Sequence, residues 1–182
     1  MSQRFSGMLA LCAAACSTLG CSDPVPASAG AGLLIDVGQC PTTMPRATLG
    51  NPNPDSRRPG DPVGTPIYSG QSGTQVSCRV SGDGTIVGNV KAPGITFDVS
   101  GTVNPTDGRG TGTVGLFAGG ITEYVSQTPE STCELNVVRL TSGFQIEPGA
   151  VYASFRCSNL RPGGVGPTCI ASGEFVLTRC RE

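Results

Sequence analysis

Gln75-Val76-Ser77-Cys78-Arg79-Val80, Gly82-Asp83-Gly84 and Thr85-Ile86-Val87-Gly88-Asn89-Val90 follow one another along the chain. Two largely alternating runs meet at an Asp-Gly pair, and Asp-Gly accepts the positive φ that a tight hairpin turn requires. The next run, Ile95-Thr96-Phe97-Asp98-Val99-Ser100, alternates strictly and puts Ile95, Phe97 and Val99 on one face. Asn104-Pro105-Thr106-Asp107-Gly108 reads as the following turn. Further strands are predicted over residues 113–117, 121–125, 134–140, 144–146 and 151–157, with a Pro148-Gly149 turn before the last, and the chain closes with 169–172 leading into 174–180. Upstream, residues 33–37 read as a first short strand. Short strands at such spacing, without a helical period, predict an all-β fold: an antiparallel sandwich or a partly closed barrel. The Gly/Thr-rich runs hold no fixed repeat length, which argues against a solenoid.

N-terminal to these strands the composition changes twice. Residues 8–19 are apolar or small, follow the lone charge of Arg4, and are too short to span a bilayer. Thr18-Leu19-Gly20-Cys21 ends this run, and Ser22-Asp23-Pro24-Val25-Pro26 follows. This arrangement resembles the lipobox of bacterial lipoproteins, with Thr18 where such boxes favour Leu or Val. The resemblance implies a signal peptide over 1–20, cleavage before Cys21, and acylation of its thiol. Two or three acyl chains hold a protein to a membrane far more firmly than one. Ala13-Ala14-Ala15-Cys16 is an earlier, shorter candidate box, and Ala27-Ser28-Ala29 offers ordinary signal peptidase an alternative site that would release a soluble secreted chain. Residues 21–32 read as a flexible tether, and 33–182 as one β domain of ordinary single-domain size. Within that domain, 40–66 carries seven prolines among Gly, Asn and Arg, and is predicted to be a long irregular loop.

Nine cysteines stand in the chain. Cys12 and Cys16 leave with the leader and Cys21 carries lipid, so Cys40, Cys78, Cys133, Cys157, Cys169 and Cys180 remain. An even set in an exported chain reads as a disulfide framework. Parity disfavours Cys16 as the anchor, because Cys21 would then be left as an odd thiol. The expected pairing joins Cys157 with Cys169 through a short Gly/Pro loop, Cys40 with Cys180, and Cys78 with Cys133. A metal or redox role is disfavoured, since the chain has no histidine and no Cys-x-x-Cys.

The same absence of histidine removes Ser-His-Asp and Cys-His catalysis. Lys91 is the single lysine and reads as a strand-end charge rather than the base of a Ser-Lys dyad. A carboxylate hydrolase would need two acids converging in a cleft, for which Asp98 with Glu123 or Glu174 are the candidates. Asp83, Asn104 and Asp107 are the calcium candidates, set against the ordinary use of oxygen-bearing side chains in turns to bond the local backbone. Tyr68, Tyr124 and Tyr152 are the only tyrosines and tryptophan is absent, so a sugar-stacking platform is poorly supplied. Arg161, in a loop between Cys157 and Cys169, is the candidate for a protease-inhibitor contact, although Pro162 after it opposes ordinary docking of a cleavable bond.

Without the leader, 11 basic and 13 acidic residues leave a net charge of −2. No basic stripe points to nucleic acid, and no cofactor motif is present. Tyr152-Ala153-Ser154-Phe155-Arg156-Cys157, Cys169 and Ser172-Gly173-Glu174-Phe175-Val176-Leu177-Thr178-Arg179-Cys180 resemble a group of small secreted lipoproteins of myxobacterial type, which has no assigned biochemistry. The expectation is a monomeric, non-enzymatic module of the cell envelope, an outer-membrane lipoprotein on the periplasmic or surface side, with a binding or structural role toward an unknown protein or glycan. An anchored protease inhibitor or adhesin and a carboxylate-based hydrolase are the alternatives.

Overall fold

The computed structural model describes residues 25–36, 46–50, 67–118, 124–125, 132–138, 146–162 and 168–182. Among these residues twelve strands form one sheet: β1 (Ser28–Ile35), β2 (Arg46–Leu49), β3 (Ile67–Tyr68), β4 (Gln75–Val80), β5 (Thr85–Ala92), β6 (Ile95–Val103), β7 (Arg109–Ala118), β8 (Tyr124–Val125), β9 (Cys133–Val137), β10 (Ile146–Glu147), β11 (Ala150–Pro162) and β12 (Cys169–Thr178). Among the described residues the only helical piece is a 3-10 turn over Gln71–Gly73, and no described helix is long and apolar enough to cross a membrane. Every strand pairing is antiparallel, and the order is β2-β1-β12-β11-β8-β7-β6-β5-β4. β9 shares with β8 the gap between β11 and β7, one at each end.

The sheet curls into a half-barrel, as the strand pattern predicts. Alternation decides which side turns inward. Val76, Cys78 and Val80 on β4 and Phe97, Val99 and Val103 on β6 are buried, while Gln75, Ser77 and Arg79 between them are exposed. Phe97, Phe155 and Phe175 meet in the interior from β6, β11 and β12, with ring centroids 5.9 to 6.4 Å apart and tilted planes. Tilted packing suits the ring quadrupoles, and each such pair adds about 0.5–1.5 kcal/mol beyond area burial. Tight curvature needs backbone without side chains at one place. Gly101 and Gly112 face each other across β6 and β7, and a Cβ on either would lie 2.7 or 2.8 Å from Leu135 Cδ1. Leu135, fully buried on β9, thereby closes directly over the glycine pair.

The seam of the half-barrel lies between β4 and the residues that follow β12, and it is stitched by contacts outside the antiparallel ladder. Arg181 lies parallel to Arg79. Val80 donates its amide to Arg181 O at 2.9 Å, Arg181 donates to Cys78 O at 3.0 Å, and Gly149 donates to Val80 O at 2.8 Å. The Val76 amide donates to Ser69 Oγ at 3.2 Å. An edge strand with unpaired backbone groups is a template for aggregation, and these bonds occupy that edge.

Three expectations are corrected here. β1 begins at Ser28, so the predicted tether over 21–32 loses its last five residues to a strand in which Ala29 and Ala31 are buried. Small residues suit close packing as well as flexibility, and composition alone does not separate the two. Arg46–Leu49 forms β2 inside the predicted irregular loop over 40–66, because β1 offers it a paired edge; 51–66 lies outside the described residues. The predicted disulfide pairs are replaced by Cys78–Cys180 and Cys133–Cys157. Cys133 continues the register in which Glu134 faces Arg156, so it stands directly across from Cys157 with a Cα separation of 4.2 Å. Cys157 instead faces Ala171, which leaves Cys169 two residues along the neighbouring strand and beyond direct cross-strand reach. Cys169 is also disulfide-bonded, to a partner outside the described residues.

Candidate functional site

The outward face of β2, β1, β12 and β11 carries two rows of side chains set by register. One runs Arg46, Leu34, Ser172, Arg156 and on to Glu134 of β9; the next runs Thr48, Gly32, Glu174, Ser154 and Asn136. An open groove of about 480 Å³ lies across the first three strands, lined by Gly32, Leu33, Leu34, Arg46, Thr48, Ser172, Gly173 and Glu174. Beneath the groove Gly173 faces inward, in register with buried Leu33 and Phe155, and a Cβ there would sit 2.0 Å from Gly32 O and 2.6 Å from the Phe155 ring. The cross-strand contact therefore requires bare backbone on β12.

The walls are chemically distinct. Glu174 is half-buried, and its Oε2 accepts a hydrogen bond from the Tyr152 hydroxyl at 2.7 Å. Tyr152 lies on the outward face by register yet is only 3% exposed, so its hydroxyl fixes the carboxylate from a buried position. Arg46 is exposed on the opposite wall, with Thr48 beside it. Leu34 is 44% exposed between them, an apolar patch flanked by hydroxyl and charged groups. A fixed carboxylate, a cation, two hydroxyls and accessible strand backbone can hold a small polar ligand with both charges or an extended polar chain.

The predicted calcium residues serve turns. Asp83 Oδ1 accepts the Thr85 amide at 2.9 Å, Asn104 Oδ1 the Thr106 amide at 2.8 Å, and Asp107 Oδ1 the Arg109 amide at 2.9 Å. The Thr85 amide and hydroxyl, with a smaller contribution from the Arg79 charge, hold the Asp83 carboxyl below its ordinary value. The Gly84 carbonyl accepts from the Val103 amide at 3.0 Å, so the two turns adjoin. No group of three or more metal-ligating side chains occurs among the described residues.

Asp98 and Glu174 are not brought together. Asp98 sits on the outer face of β6, where it accepts a hydrogen bond from Asn89 Nδ2, and four strand intervals separate it from β12. At about 4.8 Å per interval this is roughly 19 Å along the sheet, well beyond the spacing of a carboxylate pair. Glu123 lies outside the described residues. Arg161 is corrected from a loop tip to an exposed strand residue of β11 paired with Val125, directly after fully buried Leu160. Of the three tyrosines, Tyr152 supports the groove and Tyr68 lies beneath the Arg179 guanidinium, 5.8 Å from the ring centroid; nothing is described of the Tyr124 side chain.

The groove was not legible in the sequence. Arg46 and Glu174 stand far apart in the chain and join only through β1, which pairs with both strands. Comparison of the chain with family models, with curated proteins and with solved structures gives no match.

Proposed function

We propose that this chain is a lipid-anchored module of the cell envelope whose β2-β1-β12 groove recognises a polar ligand. Its disulfides suit an oxidising, extracytoplasmic environment. The observation that carries the anchor is the start of β1. Cleavage after Ala29 would remove Ser28, whose Oγ lies 2.6 Å from Thr178 Oγ1, and Ala29, which is 1% exposed and faces Leu177 and Ile67. It would also remove the Ala27 carbonyl that accepts the Ser69 amide. Each lost hydrogen bond costs about 1 kcal/mol, so signal peptidase acting at Ala29 would cut into the folded body. Cleavage before Cys21 leaves all of β1 intact and keeps residues 22–27 as a short linker.

Intact mass of the protein made in a bacterial host, with and without Cys21→Ser, tests the anchor. The expected result is acyl mass that the variant lacks, together with loss of membrane fractionation. An unmodified chain beginning near Gly30 would overturn the proposal.

A further inference from the structure

Arg79 and Arg181 are brought side by side at the seam, where the parallel bridge sets the two residues at one level. Both are exposed. Neither side chain makes a hydrogen bond or ion pair among the described residues, although like charges opposite one another on neighbouring strands repel. Arg179, also exposed, adds a third guanidinium above Tyr68. The nearest acids along the chain are Asp83, whose Oδ1 accepts the Thr85 amide and which feels the Arg79 charge only weakly, and Glu182. The arginines therefore concentrate positive charge at the seam with no hydrogen-bonded acid among the described residues.

Its position indicates what fills it. Tyr68 pairs with Ser28 at the start of β1, and the Cys78–Cys180 bond ties the arginine-bearing segments together at the same seam. Only six residues separate Cys21 from Ser28. Fully extended, they reach about 20 Å. On the reading that Cys21 carries lipid, Ser28 and the Tyr68–Arg179 end of the seam beside it are held within about that distance of the bilayer surface, with Arg79 and Arg181 next along the seam. We propose that Arg79, Arg181 and Arg179 form a membrane-facing patch that binds the phosphate headgroups of anionic lipid and orients the anchored domain, with the β2-β1-β12 groove left for its ligand.

The test uses the full chain with Cys21→Ser, so that no acyl chain contributes, in co-sedimentation with phosphatidylglycerol and phosphatidylcholine vesicles. The leader with Arg4 is common to every variant, so its contribution to the preference cancels when variants are compared. The expected result is a preference for phosphatidylglycerol that weakens with salt and falls about 30-fold in Arg79→Gln/Arg181→Gln, at roughly five-fold per headgroup-proximal cation. Arg79→Lys/Arg181→Lys should keep most of it, and Arg109→Gln/Arg161→Gln, at exposed arginines elsewhere, should leave it unchanged. Equal binding to both vesicles, or a preference unaffected by the double Gln variant, would overturn the proposal. So would competition by millimolar inorganic phosphate as strong as that by lipid, which would mark a free-anion site. The mass test of Cys21 reads the anchor independently, so failure of either reading is recognised separately.

Discussion

Replacing Cys78 and Cys180 together by alanine removes the bond that crosses the seam and leaves its backbone contacts in place. The two cysteines are 102 residues apart. Cys169 is also disulfide-bonded, and with the Cys40–Cys169 link argued below the shortest covalent path between the two cysteines runs back from Cys78 to Cys40 and on from Cys169 to Cys180, an effective loop of roughly 50 residues. In the chain-entropy model a loop of that size contributes about 4 kcal/mol by restricting the unfolded chain. Against a typical domain stability of about 5–15 kcal/mol this is a large fraction, and it corresponds to a fall in Tm of roughly 8–16 °C for a domain of this size. Urea unfolding followed by far-UV circular dichroism, suited to a chain without tryptophan, reads the loss in free energy. Amide exchange at Val80, Arg181 and Gly149 reads the seam, whose hydrogen bonds of 2.8 to 3.0 Å should persist until global unfolding. A loss under about 2 kcal/mol, or fast exchange at those amides with global stability unchanged, would refute the reasoning. The bond would then be a local staple.

Gly101→Ala should destabilise by about 1–3 kcal/mol, because its Cβ would lie 2.6 Å from Thr111 O as well as against Leu135; a double-mutant cycle with Leu135→Ala should show coupling of at least 0.5 kcal/mol, and additivity would count against the packing described. Asp83 has a folded pKa below the ordinary 3.8, so its contribution to stability is present above that unfolded value and lost as pH falls through the lower folded one; carboxyl NMR titration should find this depressed value, and Asp83→Ala should remove its part of the acid dependence. Non-reducing peptide mapping should link Cys169 to Cys40. Asp36 donates its amide to Ile170 O at 2.9 Å, and Cys40, outside the described residues, follows four residues later, within about 13 Å of chain; a Cys40 that alkylates without reduction would exclude the link.

Much of the fold was readable because its signals are local. The hairpin 75–90 announces itself through Gly82-Asp83-Gly84, and β4 and β5 start where alternation places them. Phe97 and Val99 turn inward as the period requires. What failed depended on partners. Ser28-Ala29-Gly30-Ala31-Gly32 carries no β-branched residue, and it is a strand because β12 pairs along its whole length. β11 runs for 13 residues through an irregularity between Cys157 and Leu160, where Ser158-Asn159 reads as the start of a loop yet the strand resumes. Cysteine partners follow register in the same way. Cys157 and Cys169 are close in sequence, yet the ladder sets Cys133 opposite Cys157 and the curl of the sheet brings Cys180 to Cys78.

That curl also determines where function can reside. The inward face is committed to Phe97, Phe155, Phe175 and Leu135, all buried, and enlarging any inner glycine meets backbone or side chain at once. The recognition proposed for this chain therefore falls to the outer face, where a ligand would meet single side chains presented by separate strands. On such a surface, pairs such as Arg46 with Glu174, or Arg79 with Arg181, arise only once distant segments are in register. A sequence motif records residues that act together because they are adjacent in the chain; here the residues that can act together are adjacent only in the sheet. The seam sharpens this point, because Arg79 acquires its neighbour through the segment that the Cys78–Cys180 bond secures. The covalent framework thus composes the arginine surface as well as stabilising the fold that displays it.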